Sequence, residues 1–214
     1  MNLIILGPQG SGKGTQAEKL SQKFNLEHID MGKFLREVAL LDTSLGRQIH
    51  ETINIRKELV SDKILKEVIH LKLTGLPREQ GIVFDGVPRS REQLEYLEET
   101  MREVGRKIDA IILIILSERE SIARISKRRV CEKCKKTYIF GKDKSADDGK
   151  CEICGGKVSF RVDDTPEGIK KRLGIFNKET MLVIEYYKRK GKVIEINGDQ
   201  SIEKVFEEIL NKIS

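Results

Sequence analysis

The chain contains no tryptophan, and only 5% of its 214 residues are aromatic. So small a stock of rings leaves little for a surface that stacks nucleic-acid bases. Long apolar runs are missing too. The longest, Ala110-Ile-Ile-Leu-Ile-Ile-Leu116, is far short of the roughly 20 residues that cross a bilayer. No basic segment with a small-residue cleavage site precedes the first apolar run, so no signal peptide and a cytoplasmic location are expected. Internal repeats and low-complexity tracts are absent. There is no Asn-Lys-x-Asp guanine motif; Asn177-Lys-Glu-Thr180 comes nearest and fails, which argues against a GTPase.

Charge is plentiful. Lys and Arg number 40 against 34 Asp and Glu, a net +6. That excess suits an anionic partner, either nucleic acid or phosphorylated small molecules, and suits equally well a highly charged soluble surface. Abundant Lys and Glu with few bulky aromatics also fit a heat-adapted source. Apolar content of 38% is enough for a packed interior, and the length allows one large domain or one core with smaller insertions.

Apolar, β-branched strand candidates recur at Leu3 to Leu6, Gly81 to Phe84, Ala110 to Leu116 and Lys192 to Ile196, with a weaker one near Leu26 to Ile29. Most are continuous rather than alternating, as in strands buried on both faces. Helical patterns lie between them: Leu94, Leu97, Met101 and Val104 follow 3-4-3 spacing, and Ile202 to Ile213 forms an amphipathic stripe. Ser117-x-x-Glu120 reads as a capping box, and Thr165-Pro166 as an N-cap followed by an N1 proline. Strands alternating with helices predict a parallel sheet covered on both faces, with ligands at the carboxyl ends of its strands. The segment from Lys127 to Asp164 breaks the pattern and reads as an inserted subdomain.

Behind the first strand stands Gly-Pro-Gln-Gly-Ser-Gly-Lys-Gly-Thr, residues 7 to 15. Gly7, Gly12 and Lys13 obey the phosphate-loop pattern, but Gly14 occupies the place of the usual magnesium-binding hydroxyl. Glycines let backbone N–H groups curl round phosphate oxygens, and the next helix presents its positive end to the anion. Ala17, Leu20 and Phe24 are expected to support one face of that helix.

The four cysteines lie in the insert as Cys131-x2-Cys134-x16-Cys151-x2-Cys154, a spacing suited to a four-thiolate zinc knuckle. Four thiolates leave no open coordination position, so the metal is expected to be structural. His28, His50 and His70 all lie outside the insert, in agreement. Arginines cluster around the candidate rim: Arg36 and Arg89 follow strand candidates, Arg161 follows the cysteine segment, and Arg172 is expected early in the next helix. Arg124 and Arg128, four apart, are expected on one face of the helix begun at Ser117. Phosphoryl transfer needs positive charge round the moving group and in-line positioning, which permanently charged, bidentate arginines supply.

Phe84-Asp-Gly-Val-Pro-Arg-Ser90 with Gln93 resembles the Asp-Gly-[Phe/Tyr]-Pro-Arg-x3-Gln segment of adenylate kinases. GPQGSGKGTQA, GKFLR (32–36), ELVSD (58–62), KRRVC (127–131), RVDDTPEGIKKRL (161–173) and INGDQ (196–200) match in order and spacing. The resemblance covers the whole chain, and the cysteine insert is similar to the zinc-bearing lid of the long bacterial-type enzymes. It implies an α/β fold: a five-stranded parallel sheet of the P-loop NTPase type with helices on both faces, an AMP-binding helical insert and a small zinc-binding lid. The implied divisions are core at 1–29, 61–126 and 165–214, AMP insert at 30–60 and lid at 127–164. The implied enzyme is a monomeric ATP:AMP phosphotransferase that uses magnesium with ATP, acts on ATP and AMP or ADP, and has neither nucleic acid nor membrane as a partner.

Residue by residue, the resemblance implies that Gly10, Ser11, Gly12, Lys13, Gly14 and Thr15 cradle the ATP phosphates. Glycine after the lysine is expected there, magnesium being held mainly by phosphates and waters with Asp85 behind them. Gly32, Arg36, Glu58, Leu59, Val60, Gly86, Val87, Pro88, Arg89 and Gln93 would hold AMP, with the Gln93 amide reading the adenine edge. Arg128, Thr137, Tyr138 and the Gln200 backbone would contact ATP. Arg124, Arg161 and Arg172 would clamp the moving phosphoryl group, oriented by Asp163 and Asp164. This chain departs from the family pattern at Asp30-Met-Gly-Lys-Phe-Leu-Arg36: Met31 replaces the threonine that would hydrogen-bond the acceptor base, and Lys33 replaces an acid. The same chemistry on a different acceptor base is therefore one alternative. A zinc-ribbon nucleic-acid binder is another, opposed by an insert that offers only Tyr138, Phe140 and Phe160 and carries Asp143, Asp147 and Asp148.

Overall fold

The computed structural model describes residues 1–56, 60–160 and 164–213. In chain order, β1 (Asn2–Leu6) runs into α1 (Lys13–Phe24) and β2 (Glu27–Asp30). The short helices α2 (Met31–Val38) and α3 (Ser44–His50), with a π-helical turn at Glu51–Ile55, make the first insert. Next come α4 (Asp62–Thr74), β3 (Ile82–Asp85), α5 (Arg91–Glu103), β4 (Ala110–Ile115) and α6 (Glu118–Ser126). A second insert holds β5 (Arg128–Cys131), β6 (Thr137–Ile139), α7 (Lys144–Asp147) and β7 (Val158–Ser159). The chain closes with α8 (Pro166–Ile175), a π-helical turn at Phe176–Thr180, α9 (Met181–Arg189), β8 (Val193–Asn197) and α10 (Ile202–Ile213).

The main sheet is parallel throughout, in the order β2-β3-β1-β4-β8. Ile4 lies opposite Phe84 and Ile111, and Ile112 opposite Ile194. Side chains alternate across the pleat, so the strands feed two cores. Ile4, Leu6, Phe84, Ile111 and Leu113 pack with residues of α2 to α5 and α9. Leu3, Ile5, Val83, Ile112 and Ile114 pack with Ala17 and Leu20 of α1 and Val205 and Ile209 of α10. Burying each such aliphatic side chain contributes about 1.5–3 kcal/mol, which is why continuous apolar runs become central strands. No helix among the described residues is long and apolar enough to cross a membrane.

The predicted caps form. Ser117 Oγ accepts from Glu120 N at 3.2 Å, and Thr165 Oγ1 accepts from Gly168 N at 3.1 Å with Pro166 at the start of α8. Three sequence expectations need correcting. Phe24 is 39% exposed; the buried face of α1 is Gln16, Ala17 and Leu20. Arg128 does not share a helix with Arg124, because α6 ends at Ser126 and Arg128 opens β5. Arg172 lies in the last turn of α8 rather than early in it. The second insert is a three-stranded antiparallel sheet, β6-β5-β7, with Arg128 opposite Ile139 and Val130 opposite Ser159.

Candidate active site

The glycine loop joins β1 to α1. Gly12 caps α1 in the left-handed region, φ 86°, a conformation that a side chain would strain. Gly12 is exposed, and beyond the adjoining backbone no described atom lies within 4 Å of where its Cβ would stand, which leaves room for an anion at this helix end. Lys13 is the first residue of the helix and Thr15 lies partly buried in its first turn. Ser11 is buried, and its hydroxyl has no partner among the described residues. A buried donor at the mouth of a glycine loop suits a phosphate oxygen. The loop rests on α6, where Ser121 Oγ donates to Gln9 O.

Gly14 has its physical reason in β3. A Cβ there would lie 3.1 Å from Asp85 Oδ2, closer than a side chain normally sits. The lack of a side chain lets the buried Asp85 carboxylate stand against the start of α1. An oxygen-rich position beside a phosphate loop fits a hard cation such as magnesium. His28, on the neighbouring β2, brings Nε2 to 3.9 Å from Asp85 Oδ2, a contact between strands that no local pattern announces.

On the acceptor side, Gly86 takes φ 85° after β3, and Arg89 folds back over it with Nε donating to Gly86 O at 2.8 Å. A Cβ on Gly86 would meet Arg89 Nη2 at 3.0 Å. The Val87–Pro88 peptide is cis, and Val87 is fully buried. Thr180 Oγ1 donates to Arg89 O at 3.0 Å, so the turn after α8 helps to hold this loop. Gln93 Oε1 accepts from Arg89 N at 2.8 Å, and its Nε2 donates to Asp62 Oδ1 at 3.1 Å. On α2, Asp30 caps the helix by accepting from Lys33 N at 2.9 Å. A Cβ on Gly32 would stand 3.4 Å from both Arg36 Nη1 and Asp30 Oδ1, so the Arg36 guanidinium lies over Gly32. Met31 is 3% exposed and packs in the core with Ile29 and Leu35. Val60 packs against the same core, while Glu58 and Leu59 lie outside the described residues.

The arginines on the donor side are tied by carboxylates. Arg128 grips Asp164 with two bonds, Nε to Oδ2 at 2.7 Å and Nη2 to Oδ1 at 2.6 Å. Arg172 Nη2 reaches the same Oδ1 at 2.9 Å, and its Nε donates to Gly168 O. The Asp164 side chain is 2% exposed. Arg124 is held elsewhere: by Glu120 at 2.7 Å, Gly198 O at 3.0 Å and Asp199 at 3.4 Å. Asp164 therefore ties Arg128 to Arg172, while Glu120 and Asp199 hold Arg124. Arg161 and Asp163 lie outside the described residues. Thr137 is exposed on β6, and Gln200 donates through Nε2 to Asn197 O and Glu208 Oε2.

The four cysteine sulfurs all lie within 4.8 Å of one another, with Cys131–Cys154 at 3.5 Å and Cys134–Cys151 at 3.6 Å. Tetrahedral zinc with bonds of about 2.3 Å sets sulfurs about 3.8 Å apart, so the cluster fits that ion. Lys135 N and Gly155 N donate back to Cys131 O and Cys151 O, closing the two knuckle turns. Tyr138 lies in the core of the second insert. It is 3% exposed, with its hydroxyl 3.1 Å from Cys151 Sγ, so the side chain serves the cluster. The Tyr138 hydroxyl, with the amides of Cys154 and Ile153, lowers the Cys151 thiol to about 6 despite burial. Burial works against the Cys131 thiolate too, yet the amides of Cys134 and Lys133 bring it below its usual value. Cys134 is pushed up to about 12: the Lys136 amide favours its thiolate, but burial and the neighbouring sulfurs outweigh it. Sulfurs this close ionise together only round a cation.

Residues 5–192 match the family model described as adenylate kinase. Curated relatives bearing that name cover almost all of the chain. The one from Petrotoga mobilis is 40% identical over 211 residues, 99% of this chain and 96% of its own length. Those from Archaeoglobus fulgidus and Thermosipho africanus are 37% and 36% identical, covering 98% and 100% of this chain and 96% and 99% of their own lengths.

Proposed function

The chain belongs to the adenylate kinase family and catalyses reversible phosphoryl transfer from Mg-ATP to AMP, giving two ADP; from that premise we propose how its own residues carry the reaction. The observation behind these roles is the convergence at the sheet's carboxyl edge: the open N-terminus of α1 after β1, and Asp85, Gly86 and Arg89 at and just after β3.

The glycine loop and Lys13 hold the ATP phosphates, backbone N–H groups and the helix end favouring the anion while Lys13 follows charge onto the moving group. Asp85 is the carboxylate that would hold magnesium beside the phosphate loop, where the ion would neutralise charge on the phosphates. Arg36 and Arg89 grip the AMP phosphate, with Gly86 and Val60 lending backbone, and Gln93 reads the base. Arg128 and Arg172, held by Asp164, stabilise the transferring group from the lid side; Arg124 meets it from α6. The acceptor phosphate is already ionised at neutral pH, so no general base is required, and catalysis is positioning and charge stabilisation.

Residues 30–60 act as the AMP insert and 127–164 as the lid. Their closure excludes water, without which ATP would be hydrolysed; the adenylate kinase lid is a familiar instance of such gating. Zinc on Cys131, Cys134, Cys151 and Cys154 stiffens the lid so that it swings as a unit. Four cysteines left free of disulfides suit a reducing compartment such as the cytoplasm. Coupled assay of ADP formation from ATP with AMP, GMP, CMP and UMP tests the acceptor: AMP is expected to lead. Equal rates with all four would overturn the base-reading role of Gln93.

A further inference from the structure

Gln93 can read adenine in only one orientation of its amide. Adenine offers a donor at N6 and an acceptor at N1, so it needs the amide oxygen on N6 and the amide N–H on N1. Guanine presents the reverse, an acceptor at O6 and a donor at N1. A half-turn of the amide therefore exchanges one preference for the other. The amide orientation is consequently a specificity element, and something must set it.

Two groups of opposite character grip the Gln93 amide. The Arg89 backbone N–H is a donor, and Gln93 Oε1 accepts from it at 2.8 Å. The Asp62 carboxylate accepts at 3.1 Å from Gln93 Nε2. A backbone N–H cannot be satisfied by an NH2 group, and an ionised carboxylate cannot accept from an oxygen. Chemistry fixes which end is which. Each amide end keeps one further site, a lone pair on oxygen and an N–H on nitrogen, and those are the pair that adenine requires. Asp62 is itself anchored: it is the first residue of α4, and Tyr96 on α5 donates its hydroxyl to Asp62 O at 3.0 Å. The neighbouring acid is Glu92, whose carboxyl the Asp62 side chain raises above its usual range.

We propose that Asp62 is a specificity-determining positioning residue, which locks the Gln93 amide in the orientation that accepts adenine and rejects guanine. It touches no substrate and acts through Gln93, so the proposal rests on the base-reading role given to Gln93 above. A flipped amide would set NH2 against the Arg89 N–H and oxygen against the carboxylate. Asp62 thus makes the wrong orientation costly as well as the right one favourable.

The test compares kcat/KM for AMP and for GMP in the wild type, Asp62→Ala, Gln93→Leu and the double variant. Asp62→Ala is expected to lower the AMP:GMP ratio about fivefold or more, the scale of one hydrogen bond, with KM for ATP within about twofold of the wild type. Gln93→Leu is expected to lower the ratio at least as far, and Asp62→Ala is expected to have no further effect on that background. If Gln93→Leu leaves the ratio unchanged, the base-reading premise fails. If Gln93→Leu lowers it and Asp62→Ala does not, the premise stands and the positioning role fails. A fall in the double variant equal to the product of the two single falls would also overturn it, because Asp62 would then act independently of Gln93. Loss of stability alone moves neither the ratio nor this coupling.

Discussion

Gly14 and Asp85 meet where the first helix leaves the sheet, a Cβ on the glycine standing 3.1 Å from the carboxylate oxygen. Gly14 lies in α1 with no positive φ, so alanine there is favoured by helix propensity by about 0.5–1 kcal/mol. The penalty falls on Asp85, which must shift by some tenths of an ångström. Gly14→Ala should therefore melt within a few degrees of the wild type yet turn over at least tenfold more slowly at limiting magnesium. Thermal unfolding beside a magnesium titration of turnover checks this; unchanged turnover would separate Asp85 from the reaction.

Lys13 and Arg89 are placed to carry charge on the moving phosphoryl group and the acceptor phosphate. Removing one preorganised donor of this kind typically slows catalysis by a factor of 10²–10³. Lys13→Ala and Arg89→Ala should each lose at least two orders of magnitude in kcat. Arg89→Lys should recover little, since a point charge cannot copy a guanidinium whose Nε is committed to Gly86 O. Near-normal turnover in either alanine variant removes the assigned role.

Asp164 serves two arginines, accepting from both Arg128 and Arg172. Its side chain is 2% exposed and theirs 15% and 19%, so its loss takes a shared carboxylate from two poorly solvated guanidinium groups. Breaking a buried ion pair costs about 3–5 kcal/mol. For a chain of this size that is roughly a 10 °C fall in melting temperature. Asp164→Ala should show this fall together with a higher KM for ATP, whereas Asp164→Asn keeps the shape and should lie between. A variant that melts normally but still loses ATP affinity would point to direct nucleotide contact instead.

Zinc removal should act on stability before chemistry. Cys131 and Cys151 belong to the small lid core with Tyr138, Ala146 and Val158, and Cys154 packs against it. With so few apolar side chains, the metal supplies much of the lid's folding free energy. Chelation should lower the melting temperature by more than it lowers turnover at 25 °C, and added zinc should restore it. A melting temperature indifferent to chelator would refute the structural role of the metal.

The sheet and the metal knuckle were readable in advance because each follows from a strong local pattern. Every central strand is a continuous apolar run buried on both faces, and the cysteine spacing leaves few alternatives to a tetrahedral site. Arg128 was misplaced because α6 has a clear start signal at Ser117 but neither glycine nor proline to mark its end before the strand. The resemblance places Tyr138 among the ATP contacts but says nothing of its side chain. Only the packed lid shows that its hydroxyl turns to Cys151. Asp164 on Arg128 and Asp62 on Gln93 are long-range pairs, 36 and 31 positions apart in the chain. Such pairs depend on tertiary packing and leave no local trace.

Met31 combines a core role with a missing polar one. It is 3% exposed among Ile29, Leu35 and their neighbours, yet it occupies the place where the family pattern puts a base-contacting threonine. Met31→Thr removes apolar volume from the core and buries a hydroxyl there. Large-to-small changes at such sites cost about 2–5 kcal/mol, so a melting temperature lower by roughly 5–15 °C is expected. The gain is a donor or acceptor for the base, about 1 kcal/mol net, or about fivefold in kcat/KM for AMP relative to UMP. The two effects have opposite signs and separate readouts: thermal unfolding for the first, paired acceptor kinetics below the melting range for the second. A less stable variant with an unchanged AMP:UMP ratio would show that position 31 belongs to the core alone, leaving base choice to Gln93.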